Sequence, residues 1–142
     1  MPTQANQAAF RQVIAEVFNK GNYAVLQDHF NPSFVEHQFG LHPTIEGMQA
    51  DIQFLRTAFP DFTLTIEDMA ADGDKLWARM TARGTNTGGF MGPPNGKSFK
   101  VAVFDQVRFQ DGRIVEHWGS PDRFALLAQL GMLPQQKPET QY

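Results

Sequence analysis

The sequence contains no cysteine among its 142 residues. A disulfide framework, a thiolate metal site and a cysteine nucleophile are therefore excluded together. The chain also lacks any apolar run approaching the roughly 18–20 residues that a membrane span requires, and residues 1–10 are polar rather than signal-like. We therefore expect a cytoplasmic protein that makes no contact with a membrane.

Clusters of lysine and arginine are also absent, and the formal net charge is −3. A nucleic-acid-binding protein carries a basic patch, so we expect no nucleic-acid partner. Tryptophan and tyrosine are scarce, with two of each against 13 phenylalanines. Because phenylalanine has no polar group, this balance favours a dry interior or an apolar cavity.

The hydrophobic spacing predicts helices mainly in the first half of the chain and strands in the second. Helices are predicted near residues 10–18, 23–30, 46–59 and 122–130, and strands at 62–67, 76–83, 98–109 and 113–118, with a brief extended segment at 34–37. Helices grouped before consecutive strands indicate an α+β fold with an antiparallel sheet. We expect one domain over residues 1–134 and a loose polar tail at 135–142.

One long irregular segment, Thr85 to Lys97, contains four glycines and two prolines. A loop of this length inside a compact domain is usually functional or mobile. Its glycine content suggests a lid over a pocket. A plain hairpin connection at the edge of the sheet is the alternative.

Asp105 lies in the middle of a predicted strand and has the same phase as Val103 and Val107. A carboxylate in such a position is costly unless it is paired, hydrogen-bonded or protonated. A salt bridge with Arg79 or Arg83 of the neighbouring strand is one interpretation. The other is an acid in an apolar cavity, where burial raises the pKa of a carboxyl group so that it can act as acid or base.

Two histidines and a second aspartate are also candidates. His37 and His117 each occupy a predicted extended segment, where each could line a pocket or form a hydrogen bond across the sheet. Asp122 either caps the last helix or contacts a substrate. Since the chain has no His-Glu-x-x-His motif and no compact histidine–carboxylate triad, we predict no metal site.

Three stretches of the sequence resemble the SnoaL-like polyketide (ester) cyclases, within the nuclear-transport-factor-2-like superfamily. They are Phe30 to His37, Ala82 to Lys97, and Phe109 to Gly119 with the Asp122 helix behind it. The resemblance covers nearly the whole chain, to Pro134. It implies a cone-shaped, curved antiparallel sheet wrapped around helices, with an internal pocket and, commonly, a homodimer.

The resemblance also implies a reaction. The type members close a ring by intramolecular aldol condensation, without metal or organic cofactor, and one aspartate moves the proton. In this chain the position of that aspartate is Gly119, whereas Asp105 stands where the type cyclases carry a histidine. Either the carboxylate has moved across the pocket to the adjacent strand, or the ring-closing activity is absent.

We therefore predict acid/base chemistry without a cofactor, an aldol cyclisation or an isomerisation, on a small apolar carbonyl compound. Asp105 would be the acid/base, with His117 or His37 tuning it or polarising a carbonyl, and Arg83 as an oxyanion partner. The further candidates for substrate contact are Phe90, Met91, Trp118 and Asp122. The alternative is a non-catalytic small-molecule-binding or dimerisation domain of the same fold.

Overall fold

The computed structural model describes residues 2–134 and has the expected mixture of helices and strands. The helices are α1 (Pro2–Gln12), continued by a π-helical segment (Val13–Phe18), then a 3₁₀ turn (Tyr23–Val25) leading into α2 (Leu26–His29), α3 (Ile45–Ala58) and α4 (Arg123–Gln129). The strands are β1 (Phe30–Glu36), β2 (Thr63–Asp72), β3 (Lys75–Thr85), β4 (Ser98–Gln110) and β5 (Arg113–Pro121). The predicted tail at 135–142 lies outside the described residues.

All five strands form one sheet in the order β1-β5-β4-β3-β2. Strands β2 to β5 are antiparallel neighbours, as expected for a run of consecutive strands. In the β4–β5 turn, Asp111 and Gly112 have φ of 52° and 79°, the left-handed conformations that a tight hairpin requires. The sheet differs from the expected antiparallel arrangement in one pair, because β1 runs parallel to β5.

Alternation along β4 divides the sheet into two faces. Val101 and Val107 are buried against the helices, on what we call the inner face, whereas Ala102 and Phe104 are exposed on the outer face. Asp105 has the phase of Val101 and Val107, so it lies on the inner face, as its spacing predicts. Among the helical residues buried in the same core are Phe10, Ile14, Val17, Met48 and Ile52.

The loop between β3 and β4 is organised around Asn86, whose side chain is fully buried. Its Oδ1 accepts hydrogen bonds from the backbone N–H groups of Gly89, at 3.1 Å, and Phe90, at 3.0 Å. Its Nδ2 donates to Oδ1 of Asn95 at 3.2 Å, across the base of the loop. The buried side chain of Asn86 therefore bonds to both the Gly89–Phe90 part and the Asn95 part of the loop.

Packing fixes the same loop against the core. The ring of Phe90 is buried, with its centroid 5.1 Å from that of Phe59. The backbone N–H of Gly88 donates to the carbonyl of Ala58 at 3.0 Å, which ties the loop to the end of α3. Met91, at the tip, is exposed and has a φ of 54°. These contacts favour a fixed connection over a lid that moves as a whole.

We predict that Asn86→Ala lowers the free energy of unfolding by about 2–3 kcal/mol, because two N–H groups inside the loop lose their acceptor. Urea denaturation measures this change. Asn22→Ala is the matched control, since Asn22 is exposed and its side chain makes no capping bond, and it should change stability by no more than about 0.5 kcal/mol. Equal stability of the two variants would contradict the role assigned to Asn86.

Candidate active site

Side chains from three strands meet on the inner face of the sheet. Glu36 ends β1, Asp105 lies in β4 and His117 lies in β5. The register places Glu36 beside His117 in the parallel pair, and Asp105 opposite Gly119 in the antiparallel pair. Residue 117 is therefore adjacent to residue 36 and diagonal to residue 105, which brings its ring between the two carboxylates.

The ring of His117 contacts both carboxylates directly. Its Nδ1 lies 2.5 Å from Oε2 of Glu36, and its Nε2 lies 3.2 Å from Oδ2 of Asp105. The side chains of Glu36, His117 and Asp105 are 3%, 12% and 14% exposed, so the group is nearly enclosed while Asp105 keeps some access to solvent. We call these three residues the Glu36–His117–Asp105 array.

The array holds a charged imidazole. Burial lowers the pKa of His117, but its hydrogen bonds to Asp105 and Glu36, together with their negative charges, outweigh that effect and raise the pKa to about 9. At neutral pH the ring therefore carries both protons, with Nδ1–H donating to Glu36 and the Nε2 side paired electrostatically with Asp105. Each ring nitrogen of His117 thus faces a carboxylate.

Gln38 also belongs to this site, although its residue type gave no indication of it. Its backbone N–H donates to Oε2 of Glu36 at 3.0 Å, the oxygen that also accepts from His117. Its side chain lies over Gly119, because a Cβ built on residue 119 would overlap Oε1 of Gln38. The same Cβ would lie 2.8 Å from Oδ1 of Asp105. The carboxamide of Gln38 thus occupies the space that a side chain at position 119 would need.

Glu36 was likewise not predicted, although the sequence carries a signal for it. Phe34 and Glu36 lie two residues apart in one strand, so they point to the same face. The side chain of Phe34 is buried in the core, and the side chain of Glu36 points to the same inner face. Extending the alternation from Phe34 would have identified Glu36 rather than His37 as the inward-facing residue.

His37 lies on the outer face. Its ring stacks on Trp118 with centroids 4.6 Å apart, and its Nε2 lies 2.7 Å from Oε2 of Glu116. Since side chains alternate along a strand, His37 points away from the face that Glu36 and His117 share. The structure therefore brings His37 and Trp118 together, but on the side of the sheet away from Asp105.

The arginines of β3 also lie on the outer face. Ala78 and Ala82 are buried on the inner face, so Arg79 and Arg83, in the alternate phase, point outward. The interpretation of Asp105 as a salt-bridge partner of either arginine is wrong, because Asp105 pairs with His117 instead. For the same reason, Arg83 is not placed beside Asp105 to stabilise an oxyanion.

Three further candidates have positions that structural roles explain. Phe90 packs on Phe59 beneath the β3–β4 loop, and Met91 is exposed at the tip of that loop. Asp122 caps α4, with its Oδ1 accepting a hydrogen bond from the backbone N–H of Ala125 at 3.0 Å. The capping interpretation of Asp122 is thus confirmed by geometry, and none of the three belongs to the array.

An open trough of about 550 Å³ lies on the outer face. Its lining residues with outward-facing side chains are Asp68, Ala70, Trp77, Arg79, Phe104, Gln106, Trp118 and Ser120. Between them runs a row whose side chains have the inward phase, namely Met69, Ala78, Asp105 and Gly119. The trough therefore lies on the face opposite the side chains of the array, although Asp105 itself contributes to its lining. The internal pocket stays a prediction.

Residues 2–134 contain neither a cluster of metal-ligand side chains nor a helix of membrane-spanning length and apolarity. No group of three or more histidine and carboxylate side chains in this part of the chain could hold a metal ion. Both ring nitrogens of His117 face carboxylates, and its raised pKa favours the protonated ring, which is a poor metal ligand. No helix in the described range is long and apolar enough to cross a membrane.

Comparison with known proteins identifies the family. The sequence profile of the SnoaL-like polyketide cyclases matches residues 8–130. The chain belongs to this family. Among curated relatives of this SnoaL-like protein, aklanonic acid methyl ester cyclase DauD of Streptomyces sp. (strain C5) is 28% identical over 110 residues, which cover 75% of this chain and 67% of DauD.

Solved structures agree with that assignment. TsrD of Streptomyces laurentii is 31% identical, with a TM-score of 0.83, and the match covers 92% of this chain and 97% of TsrD. IdmH of Streptomyces antibioticus is 36% identical, with a TM-score of 0.80, over 89% of this chain and 98% of IdmH. The SnoaL-like fold expected from the sequence is confirmed.

We predict that His117 of this SnoaL-like protein titrates with a pKa of about 9, which ¹³C-detected NMR of labelled histidine rings would measure. In Glu36→Gln the pKa of His117 should fall, because one of its two stabilising carboxylates is lost. Glu46→Gln, an exposed position on α3, should leave that pKa unchanged. A value for wild type near the unperturbed 6.5 would show that the array does not hold an imidazolium.

Proposed function

We propose that this protein catalyses acid/base chemistry without a cofactor, an aldol cyclisation or an isomerisation, on a small, apolar carbonyl compound. The observation that supports this function is the carboxylate of Asp105, held on the inner face by a charged histidine. Its 14% exposure would let a small molecule reach it while bulk water stays largely excluded. Similarity to an ester cyclase supports cyclase chemistry over an unrelated reaction.

In the proposed step, Asp105 takes a proton from the carbon next to a carbonyl group, and the electrons of that C–H bond form an enolate. For an aldol closure, the enolate carbon bonds to a second carbonyl carbon of the same molecule. The resulting alkoxide takes the proton back from Asp105. For an isomerisation, the proton returns to a different carbon. Both routes leave the atoms of the substrate unchanged in number and regenerate the carboxylate.

His117 would act through Asp105 rather than on the substrate. Its two ring nitrogens face Glu36 and Asp105, so the ring is placed to act on Asp105 rather than on a carbonyl oxygen. It fixes the orientation of the Asp105 carboxylate, and its positive charge lies near the place where the enolate develops. A preorganised charge of this kind stabilises a transition state without reorganisation.

A non-catalytic binding or dimerisation domain is the second candidate, and the outer-face trough favours it. Three aromatic side chains, Trp77, Phe104 and Trp118, line the trough, which suits an aromatic molecule or a second protein surface. In that case the ion pair of Asp105 with His117 would serve stability alone. Exchange of substrate protons distinguishes the two candidates.

We predict that wild type accelerates hydrogen–deuterium exchange next to the carbonyl of 2-tetralone in D₂O, measured by proton NMR. Asp105→Asn should lower the protein-catalysed rate at least about 100-fold, because an amide cannot take the proton.

Asp111→Asn is the matched control for this exchange. Asp111 lies in the β4–β5 turn with a φ of 52°, a conformation that asparagine also tolerates, so this variant should keep the wild-type rate. Thermal melting would establish that both variants fold. Equal rates for Asp105→Asn and wild type, or no acceleration by wild type, would favour the binding domain.

We further propose that the protein forms a homodimer through the outer face. Val35, Trp77 and Phe104 are 49%, 41% and 55% exposed there, and they lie in β1, β3 and β4 of one sheet. Large apolar side chains grouped on one surface are typical of an interaction site. A twofold dimer would set the same patch of each copy against the other.

We predict a solution mass about twice the chain mass of 16.0 kDa, measured by sedimentation equilibrium. Phe104→Asp should shift the mass to that of the monomer, because a carboxylate would be buried in the apolar interface. Phe124→Asp, at a similarly exposed position on α4, should leave the dimer intact. A dimer that survives Phe104→Asp would place the interface elsewhere.

A further inference from the structure

Two observations place Gln38 beside Asp105. At the backbone, its N–H donates to Oε2 of Glu36, which also accepts from His117. At the side chain, the carboxamide lies over Gly119, in the space that any Cβ at this position would take. The backbone of Gln38 is thus bonded to the array. Its carboxamide fits on the inner face because residue 119 has no side chain.

The proposed chemistry requires a hydrogen-bond donor that no other residue of the array supplies. Negative charge develops on the carbonyl oxygen as the neighbouring carbon loses its proton, and a donor at that oxygen stabilises it. The two ring nitrogens of His117 face the carboxylates of Glu36 and Asp105. Arg83 lies on the opposite face of the sheet. The amide of Gln38 carries two N–H donors and lies next to Asp105.

We propose that Gln38 is a substrate-binding residue whose Nε2 donates a hydrogen bond to the carbonyl oxygen of the compound on which Asp105 acts. Glycine at position 119 is the feature that permits this, because any larger residue would displace the carboxamide. The inference rests on the proposed function of Asp105. Rotation about the last bond of the side chain is enough to present Nε2 in place of Oε1.

Binding of 2-naphthol and naphthalene tests this role without turnover. The hydroxyl of 2-naphthol stands where the enolate oxygen of 2-tetralone would form, whereas naphthalene offers the same two fused rings without an oxygen. Wild type should bind 2-naphthol more tightly, as measured by fluorescence titration. Gln38→Leu should reduce this preference by about three- to tenfold, the usual effect of one neutral hydrogen bond, and leave the affinity for naphthalene unchanged.

Gly119→Ala provides a second, independent route to the same loss. Its methyl group would take the place of the carboxamide, so the preference for 2-naphthol should fall as it does in Gln38→Leu. The double variant should lose no more than either single variant, because both changes remove one interaction. Gln110→Leu, exposed at the end of β4, is the matched control and should bind both probes as wild type does.

The outcomes separate this inference from the proposed function. An unchanged preference in Gln38→Leu, an equal loss of affinity for both probes, or no preference in wild type would each overturn the role of Gln38. If Asp105→Asn still loses the exchange of 2-tetralone, Asp105 remains the acid/base and only the role of Gln38 is rejected. If Asp105→Asn exchanges 2-tetralone as fast as wild type, the acid/base function itself is rejected.

Discussion

An imidazolium held between two buried carboxylates is the constraint on which the inner face depends. Glu36, His117 and Asp105 come from β1, β5 and β4, so their charges tie the edge strand to the middle of the sheet. Removing one partner of a buried ion pair typically costs about 3–5 kcal/mol, since the other charge is left without compensation. Folding raises the pKa of His117 from 6.5 to about 9. The stabilisation is therefore complete below pH 6.5 and is lost as the pH rises through about 9.

Because side chains alternate along a strand, neighbouring residues lie on opposite faces of the sheet and have different roles. Glu36 and His117 face inward, where they build the array, whereas His37 and Trp118, one residue further along each strand, stack on each other on the outer face. The two histidines are equivalent in the sequence as candidates, but their surroundings separate them. His117 is nearly buried between two charges, and His37 is paired with Glu116 on the exposed side. The proposed acid/base chemistry and the proposed association thus lie on opposite faces of the sheet.

The periodicity of the chain predicts much of this arrangement. The β4 alternation placed Asp105 on the inner face, because Val101 and Val107 repeat every second residue around it. The partner of Asp105 could not be predicted in the same way. His117 reaches it only because β5 pairs with β4 in a particular register, and Glu36 completes the array through a parallel pairing across 81 residues. The position of Gln38 in the site depends on both strand pairings and on the space left by Gly119. No local sequence pattern could therefore identify it as a site residue.

Register also explains why glycine at 119 is compatible with acid/base chemistry. Asp105 and Gly119 are direct partners across the β4–β5 pair. Cβ positions of directly opposed residues lie about 4.5–5.5 Å apart on one face. A carboxylate moved from position 119 to position 105 therefore stays on the same patch of the inner face and stays next to His117. The vacated space is filled by the carboxamide of Gln38. Moving the carboxylate from position 119 to position 105, and filling the space at 119 with the Gln38 carboxamide, would change a site that has an aspartate on β5. The resulting site has an aspartate on β4 and an amide donor beside it.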